Sequence, residues 1–367
     1  MRTLPQRQTL TSQTVAILRA EIARGAWPEF LPGERLLCEK LQISRNTLRA
    51  ALVHLQREKL LSAEHGVGYR VLRSPDQPTG PDDPAGSQDV ALLTSEPLHR
   101  LRPNQTLWID ELRAMLGERG SRLHVFHGVA YFRANPGPAL RQLVTQHPHR
   151  CWILVRSNAV TQRWFSRAGV PCIVAGSTPA GLGLAFRDVD YRAVCRHAAG
   201  VLFGLGHRRI ALLASHPSMA GDLEGEEGWQ QTARESRHPG TEALVVSHDG
   251  TTADIGRVLR RLLGKKLPPT ALVVTNPYHY LAVTSQLAQM GRRVPGDISV
   301  ISREDEVFLS YLVPAPARYV ANPNAMSKAL LRPVLELLAS GPVTEPGLKL
   351  MPDFHRGESL GPPPATS

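Results

Sequence analysis

LPGERLLCEKLQISRNTLRAALVHL, residues 31–55, decides how the chain begins. Glu34–Leu41 reads as a short helix, Gln42-Ile43-Ser44 as a tight connection, and the residues from Arg45 onward as a further helix. Ser44 stands where its hydroxyl accepts a backbone N–H one turn on, the N-cap role. Leu48, Leu52 and Leu55 recur at helical spacing and predict the inward face of that helix. Arg45, Asn46 and Arg49 then face outward near its N-terminal end. Two helices joined by a tight turn, the second offering such side chains from its first turns, form a helix-turn-helix. Arg suits the O6 and N7 of guanine and Asn suits adenine, while the helix N-terminus favours a phosphate.

Working outward, Val15, Leu18 and Ile22 are spaced three and four apart, the apolar stripe of a first helix. On the other side, LLSAEHGVGYRVL, residues 60–72, reads as a hairpin. Leu61 and Ala63 alternate before His65-Gly66-Val67-Gly68, and Tyr69 and Val71 alternate after it. A hairpin after a helix-turn-helix is a wing, and His65, Gly66 and Arg70 near its tip are placed for a minor groove or phosphates. Charge agrees with a nucleic-acid partner. The 367 residues carry 43 Lys+Arg against 32 Asp+Glu, a net of +11. Residues 1–75 hold 12 against 6, and the other 292 hold 31 against 26. More than half of the excess sits in a fifth of the chain, as in a basic reader joined to a near-neutral domain.

RSPDQPTGPDDPAGSQ, residues 73–88, has four prolines and no apolar period, and reads as a linker. Short apolar runs then alternate with amphipathic stretches. Strands are predicted at Asp89–Thr94, Leu123–Phe126, Cys151–Val155, Pro171–Ala175, Arg209–Ala214, Ala243–Ser247, Ala271–Thr275 and Ser299–Ser302. Helices are predicted at Leu107–Arg119, Leu140–Thr145, Trp164–Ala168, Tyr191–Leu205, Glu226–Arg234, Thr252–Leu263 and Tyr278–Met290. Such alternation indicates parallel sheets covered on both faces. Two such α/β units fit the length, and ligands in these folds bind beyond the carboxyl ends of the strands. GPPPATS, residues 361–367, reads as a disordered tail.

Several function classes drop out. No apolar run is long enough to span a membrane, and the N-terminal residues lack the apolar stretch of a secretory signal. Cys38, Cys151, Cys172 and Cys195 are scattered without a CxxC, which argues against a disulfide framework or structural zinc and points to a reducing cytoplasm. HExxH, GxSxG, P-loop and GxGxxG motifs are all missing, so no enzyme is expected. His147 and His149 flank a proline and read as a solvated loop. No metal or cofactor is implied.

Gly25–Val71 resembles the GntR family of winged-helix regulators. The family's L-P-S-E-R-x-L-A is present as Leu31-Pro32-Gly33-Glu34-Arg35-Leu36-Leu37-Cys38, and V-S-R-x-T-x-R as Ile43-Ser44-Arg45-Asn46-Thr47-Leu48-Arg49. The resemblance implies DNA contacts from Arg35, Ser44, Arg45, Thr47, Arg49 and Gly66, and from His65 as in some members. Farther on, Gly206-His207-Arg208-Arg209-Ile210-Ala211, the run Pro269–Asn276 and the run Gly291–Ile301 resemble the effector domain of LacI-type regulators. That implies two Rossmann-like lobes around a cleft, of the periplasmic-binding-protein type, with chain crossovers near Phe186 and Arg318. The joined arrangement is that of the bacterial arabinose repressor group.

The resemblance assigns Asn276, at a strand end, either a ligand contact or the cap of the next helix. The family's G-[FY]-D-D appears as Ser302-Arg303-Glu304-Asp305, leaving Glu304 as the carboxylate for ligand hydroxyls. Gly225 stands where the family has a ligand-clamping Arg, while Gly228-Trp229 keep the adjoining turn. Ser177 and Trp164 are expected at strand ends facing the cleft. The expected organisation is a winged helix at 1–72, a linker at 73–88, an effector and dimerisation domain at 89–360, and the tail. The expected function is a homodimeric, cytoplasmic, DNA-binding regulator, a repressor modulated by a small, sugar-like metabolite. The alternative is a ligand-independent binder whose second domain only dimerises, which Gly225 and the lack of a stacking aromatic near Gly250 favour.

Overall fold

The computed structural model describes residues 10–23, 27, 30–41, 43–58, 60–64, 68–72, 88–216, 219–236 and 238–364, with Arg35 described in its backbone only. The chain divides into two units, Met1–Asp83 and Pro84–Ser367. The expected wing tip, His65 and Gly66, and nearly all of the expected linker lie outside the described residues.

The first unit runs α1 (Leu10–Ala23), α2 (Glu34–Leu41), α3 (Arg45–Arg57), β1 (Leu61–Glu64) and β2 (Gly68–Val71). Its core is the stripe read from the sequence: Val15 and Leu18 of α1 and Leu48, Leu52 and Leu55 of α3 are buried together with Leu31, Leu37 and Leu61. Ser44 caps α3, its Oγ accepting from Thr47 N at 3.1 Å. The hairpin is antiparallel, with Leu61 opposite Val71 and Ala63 opposite Tyr69. Leu31 N donates to Tyr69 O at 2.8 Å, which ties the segment before α2 to the wing.

The second unit has two lobes. The first builds β3 (Val90–Thr94), α4 (Pro103–Gly117), β4 (Leu123–His127), α5 (Gly137–Gln146), β5 (Cys151–Val155), α6 (Ala159–Ala168), β6 (Cys172–Ala175) and β7 (Ala185–Val189). The chain then passes to the second lobe: α7 (Tyr191–Gly204), β8 (Arg209–Ser215), α8 (Ala220–Glu235), β9 (Glu242–His248), α9 (Thr252–Leu263), β10 (Ala271–Val274), α10 (Pro277–Gln289), β11 (Ser299–Ser302) and β12 (Ala317–Val320). It returns through α11 (Pro323–Leu338) and β13 (Gly347–Leu350), then crosses once more to β14 (Asp353–His355). Strand order is β13-β7-β6-β5-β3-β4 in one sheet and β14-β12-β11-β10-β8-β9 in the other. Only β14, against β12, is antiparallel among these described pairs.

The crossings fall at 189–191, 320–323 and 350–353. The first two lie a few residues beyond the expected Phe186 and Arg318, and the third was not anticipated. The central strands are fully buried, as a sheet covered on both faces demands. Gly361, expected to open a disordered tail, is instead pinned: its N–H bonds Ser299 Oγ at 3.0 Å, and its carbonyl accepts from Ser299 Oγ and bonds His207 Nε2.

Helices α7 and α8 approach closely because α8 presents glycines toward α7. A Cβ on Gly228 would stand 2.3 Å from the Arg192 carbonyl oxygen, and one on Gly221 2.7 Å from the Tyr191 ring. This seats α8 low enough for its N-terminal turn to border the interlobe cleft.

Candidate functional site

Two groups of residues carry the candidate chemistry. On the first unit, Ser44, Arg45, Asn46 and Arg49 are exposed along the first turns of α3, while Thr47 is half-buried. Ser44 and Thr47 are engaged with each other, their hydroxyl oxygens 2.8 Å apart. Arg49 Nε lies 3.0 and 3.3 Å from the two Glu34 carboxylate oxygens. That ion pair fixes Arg49 against α2 while leaving its side chain 62% exposed. Arg70 lies over the Phe30 ring, 5.2 Å from its centroid, on the wing side.

The second group lines the interlobe cleft at the strand ends. A mouth of about 360 Å³ is bordered by Ser95, Ser157, Ser177, Ser215, Thr275 and Asn276, among others. An inner chamber of about 120 Å³ is lined by Gln105, Trp108, Tyr319 and Glu306 and by the chain crossings. Arg102, Asp188, Tyr191, Arg303 and Glu304 border both.

The charges at this boundary are interlocked. Arg102, at the N-terminus of α4 in one lobe, bonds Glu304, beyond β11 in the other. Arg303 Nη2 donates to Asp222 Oδ1 at 2.7 Å and to Glu304 Oε1 at 3.2 Å. The guanidinium carbon lies 4.3 Å from the centroid of the Tyr191 ring, whose hydroxyl donates to Glu304 Oε1. Lys349 and Glu224 form a second bridge between lobes at 2.7 Å. Burial works against ionising Glu304, but Arg102 and Arg303 outweigh it and hold its carboxyl below the usual range. Burial likewise disfavours charge on Arg303, and Glu304 and Asp222 overcome it. Asp188 has no such cation: burial pushes its carboxyl up to about 7 despite bonds from Ser177 Oγ and Val189 N. Glu306 also rises to about 7 through burial, with Arg102 opposing.

The placement of the sequence-derived cleft residues is uneven. Ser177, Asn276 and Glu304 border the mouth. Asn276 is also the N-cap of α10, its Oδ1 accepting from Tyr278 N at 2.9 Å. Ser177 is held from behind, Gln162 Nε2 donating to its carbonyl. Trp164 is not among the cleft-lining residues. It lies in α6 and lines a separate surface depression with Arg141, Val144 and Arg167, because the strand leading into α6 ends at Val155 and the cleft is reached by Arg156 and Ser157. The arginine that Gly225 replaces has a spatial substitute: Arg303 Nη1 stands 3.4 Å from where a Gly225 Cβ would be. Sequence reading missed Arg102, Asp188, Asp222, Arg303 and Glu306. The one available signal was an Arg at the aromatic position of the Ser302–Asp305 segment, in a chain that had lost an Arg at 225.

Among the described residues no helix is long and apolar enough to cross a membrane, and no group of three His, Cys, Asp or Glu is arranged to hold a metal.

Comparison with known proteins agrees with this division. Residues 10–71 match the family described as bacterial regulatory proteins, gntR family, and residues 199–360 match the periplasmic binding protein-like domain. The chain is 29% identical over 191 residues to the HTH-type transcriptional regulator CelR of Thermobifida fusca, covering 51% of this chain and 55% of that protein. It is 27% identical over 202 residues to the HTH-type transcriptional regulator reg1 of Streptomyces lividans, covering 53% and 58%. The match thus spans little more than half the length of these curated relatives. A solved CelR–cellobiose complex superposes with a TM-score of 0.64 at 21% identity, over 96% of this chain and all of that one. A LacI family transcriptional regulator from Bifidobacterium animalis subsp. lactis gives 0.64 at 19% identity, over 75% and 98%. The chain joins a GntR-family helix-turn-helix segment to a domain of the periplasmic-binding-protein-like family, in a two-lobed fold shared with LacI-family regulators.

Proposed function

We propose that this protein is a DNA-binding transcription regulator, a repressor whose operator binding is modulated by a small polar metabolite held between the two lobes. The observation that carries the reading is the outward row on α3: a Ser44-capped helix whose first turns expose Arg45, Asn46 and Arg49. That is the geometry by which such a helix presents side chains to the major groove. A second copy of the chain completes a near-palindromic site, and Arg35, Thr47, His65 and Gly66 add contacts by their match to the family motif. The relatives are named as regulators, and one solved relative holds cellobiose, which supports a sugar-like effector here. Ligand binding shifts the balance between lobe arrangements and so the operator affinity.

The test is a gel shift with Arg45→Ala plus Arg49→Ala. Specific operator binding is lost while the second unit keeps its melting transition; unchanged affinity rejects the assignment. The Arg102–Glu304 bridge favours a second reading, in which the cleft is closed by its own charges and the second unit serves dimerisation alone. Under that reading no metabolite in a broad panel raises the melting temperature.

A further inference from the structure

The inner chamber holds a carboxylate that the fold leaves unanswered. Glu306 is 3% exposed, yet neither carboxylate oxygen has a hydrogen-bond partner. It lines the chamber beside Gln105, whose Oε1 is also buried without a donor. The cations nearby are engaged elsewhere: Arg102 with Glu304, Arg303 with Asp222 and Glu304, Arg318 with Asp305. The chamber lining therefore carries Asp188, Glu304, Asp305 and Glu306 against Arg102 and Arg303 alone. Two buried acceptors that lack donors favour a ligand that brings N–H or O–H groups, and a positive charge pairs with Glu306 when it is ionised.

A metal ion does not meet this need, because among the described residues no three His, Cys, Asp or Glu are arranged to hold one. A compact ammonium does. It supplies three donors and suits the aromatic walls of Trp108 and Tyr319. The chamber has room for such a head group, and its hydroxyl-lined mouth accommodates a polar skeleton. A plain sugar offers hydroxyl donors to Glu306 but brings no charge to pair with it.

We propose that the effector is a hydroxylated compound bearing a primary ammonium, an amino sugar or amino alcohol, with the ammonium seated between Glu306 and Gln105 and the hydroxyls at the mouth. This rests on the reading of the cleft as the effector site, but it makes its own claim about the ligand's charge.

The test is calorimetric titration of the full-length protein with D-glucosamine, D-galactosamine and serinol, against D-glucose, D-galactose and N-acetyl-D-glucosamine. At least one ammonium compound binds, and its uncharged counterpart binds about 10- to 100-fold more weakly, the usual worth of a charge-assisted contact. Glu306→Gln, which keeps shape and removes charge, weakens the ammonium compound by the same factor. The amino sugars and serinol distinguish the two skeletons. Equal binding of charged and neutral sugars, no binding by any ammonium compound, or full ammonium affinity in Glu306→Gln overturns the proposal. Each of these results leaves DNA binding intact, so failure here is separate from failure of the regulator reading.

Discussion

Replacing Arg303 by Leu tests the ion network that joins the lobes. Arg303 is 4% exposed, and its Nη2 serves Asp222 and Glu304 together. Leucine fills part of the space but leaves two carboxylates facing each other without the cation between them. Removing one partner of a buried ion pair costs about 3–5 kcal/mol. Two features pull the value to the lower end. Arg102 still neutralises Glu304, and Met219 N still bonds Asp222. The substitution also removes two guanidinium nitrogens that had no acceptor, which returns some desolvation cost. We therefore expect a loss of about 3 kcal/mol, which at roughly 2–4 °C per kcal/mol for large domains lowers the melting temperature of the second unit by about 6–12 °C at pH 7. Differential scanning calorimetry of the full chain reads this directly. Adding Asp222→Asn to the same chain removes the carboxylate left without its cation and recovers about half of the loss, because the two sites share one network. A fall under 2 °C, or no recovery in the double variant, would refute the network as a source of stability.

Gly228→Ala forces a Cβ to within 2.3 Å of the Arg192 carbonyl, so α7 and α8 must separate; we expect a loss of about 3 kcal/mol, seen as a lowered melting temperature or loss of soluble protein, and a silent substitution contradicts the packing. Glu34→Gln releases Arg49 from its ion pair; DNA affinity rises and the slope of log K against log salt steepens by about one, whereas weaker binding means that Glu34 positions Arg49 productively. The Glu306 carboxyl, raised by burial to about 7 from a value near 4.5, keeps its proton in the folded chain where the unfolded chain loses it. Its contribution to stability is present below pH 4.5 and lost as pH rises through 7. Glu306→Gln is free of that loss, so its melting temperature gains on the parent between pH 5 and 8; a constant difference across that range contradicts the burial argument.

The parts of the fold that showed in the sequence are those set by local pattern. Cys151–Val155 and Ala271–Val274 are short apolar runs because both faces of their sheets are covered, and α3 shows its Leu48-Leu52-Leu55 stripe because one side packs on α1. Other elements are specified by distant partners. The β7 sequence Ala-Phe-Arg-Asp-Val does not look buried, but Arg187 is taken up by the carbonyls of Ala329, Phe186 and Glu345. Helix α11 contains Pro333, which masks its period. Helix α8 starts at Ala220 rather than the expected Glu226, since glycines that read as helix breakers permit close contact with α7.

The site divides in the same way. Ser44, Arg45 and Asn46 follow from spacing along one helix, and so does the exposure of Arg49. Glu304 and Asn276 were reached through motif position, and Ser177 through its place near a strand end. The residues that give the cleft its charge were not legible, because their pairing is tertiary: Arg102 and Glu304 are 202 positions apart, Arg303 and Asp222 81. No periodicity carries such information, whereas the departure at Ser302–Asp305 did mark where the change lies.

The most direct measurement of the central claim is selection of bound duplexes from a randomised DNA pool by the full-length protein at moderate salt, run beside Arg45→Ala plus Arg49→Ala. The account predicts one enriched, near-palindromic motif for the parent chain and none for the variant. Enrichment no better than random competitor for the parent, or the same motif for both proteins, would contradict it.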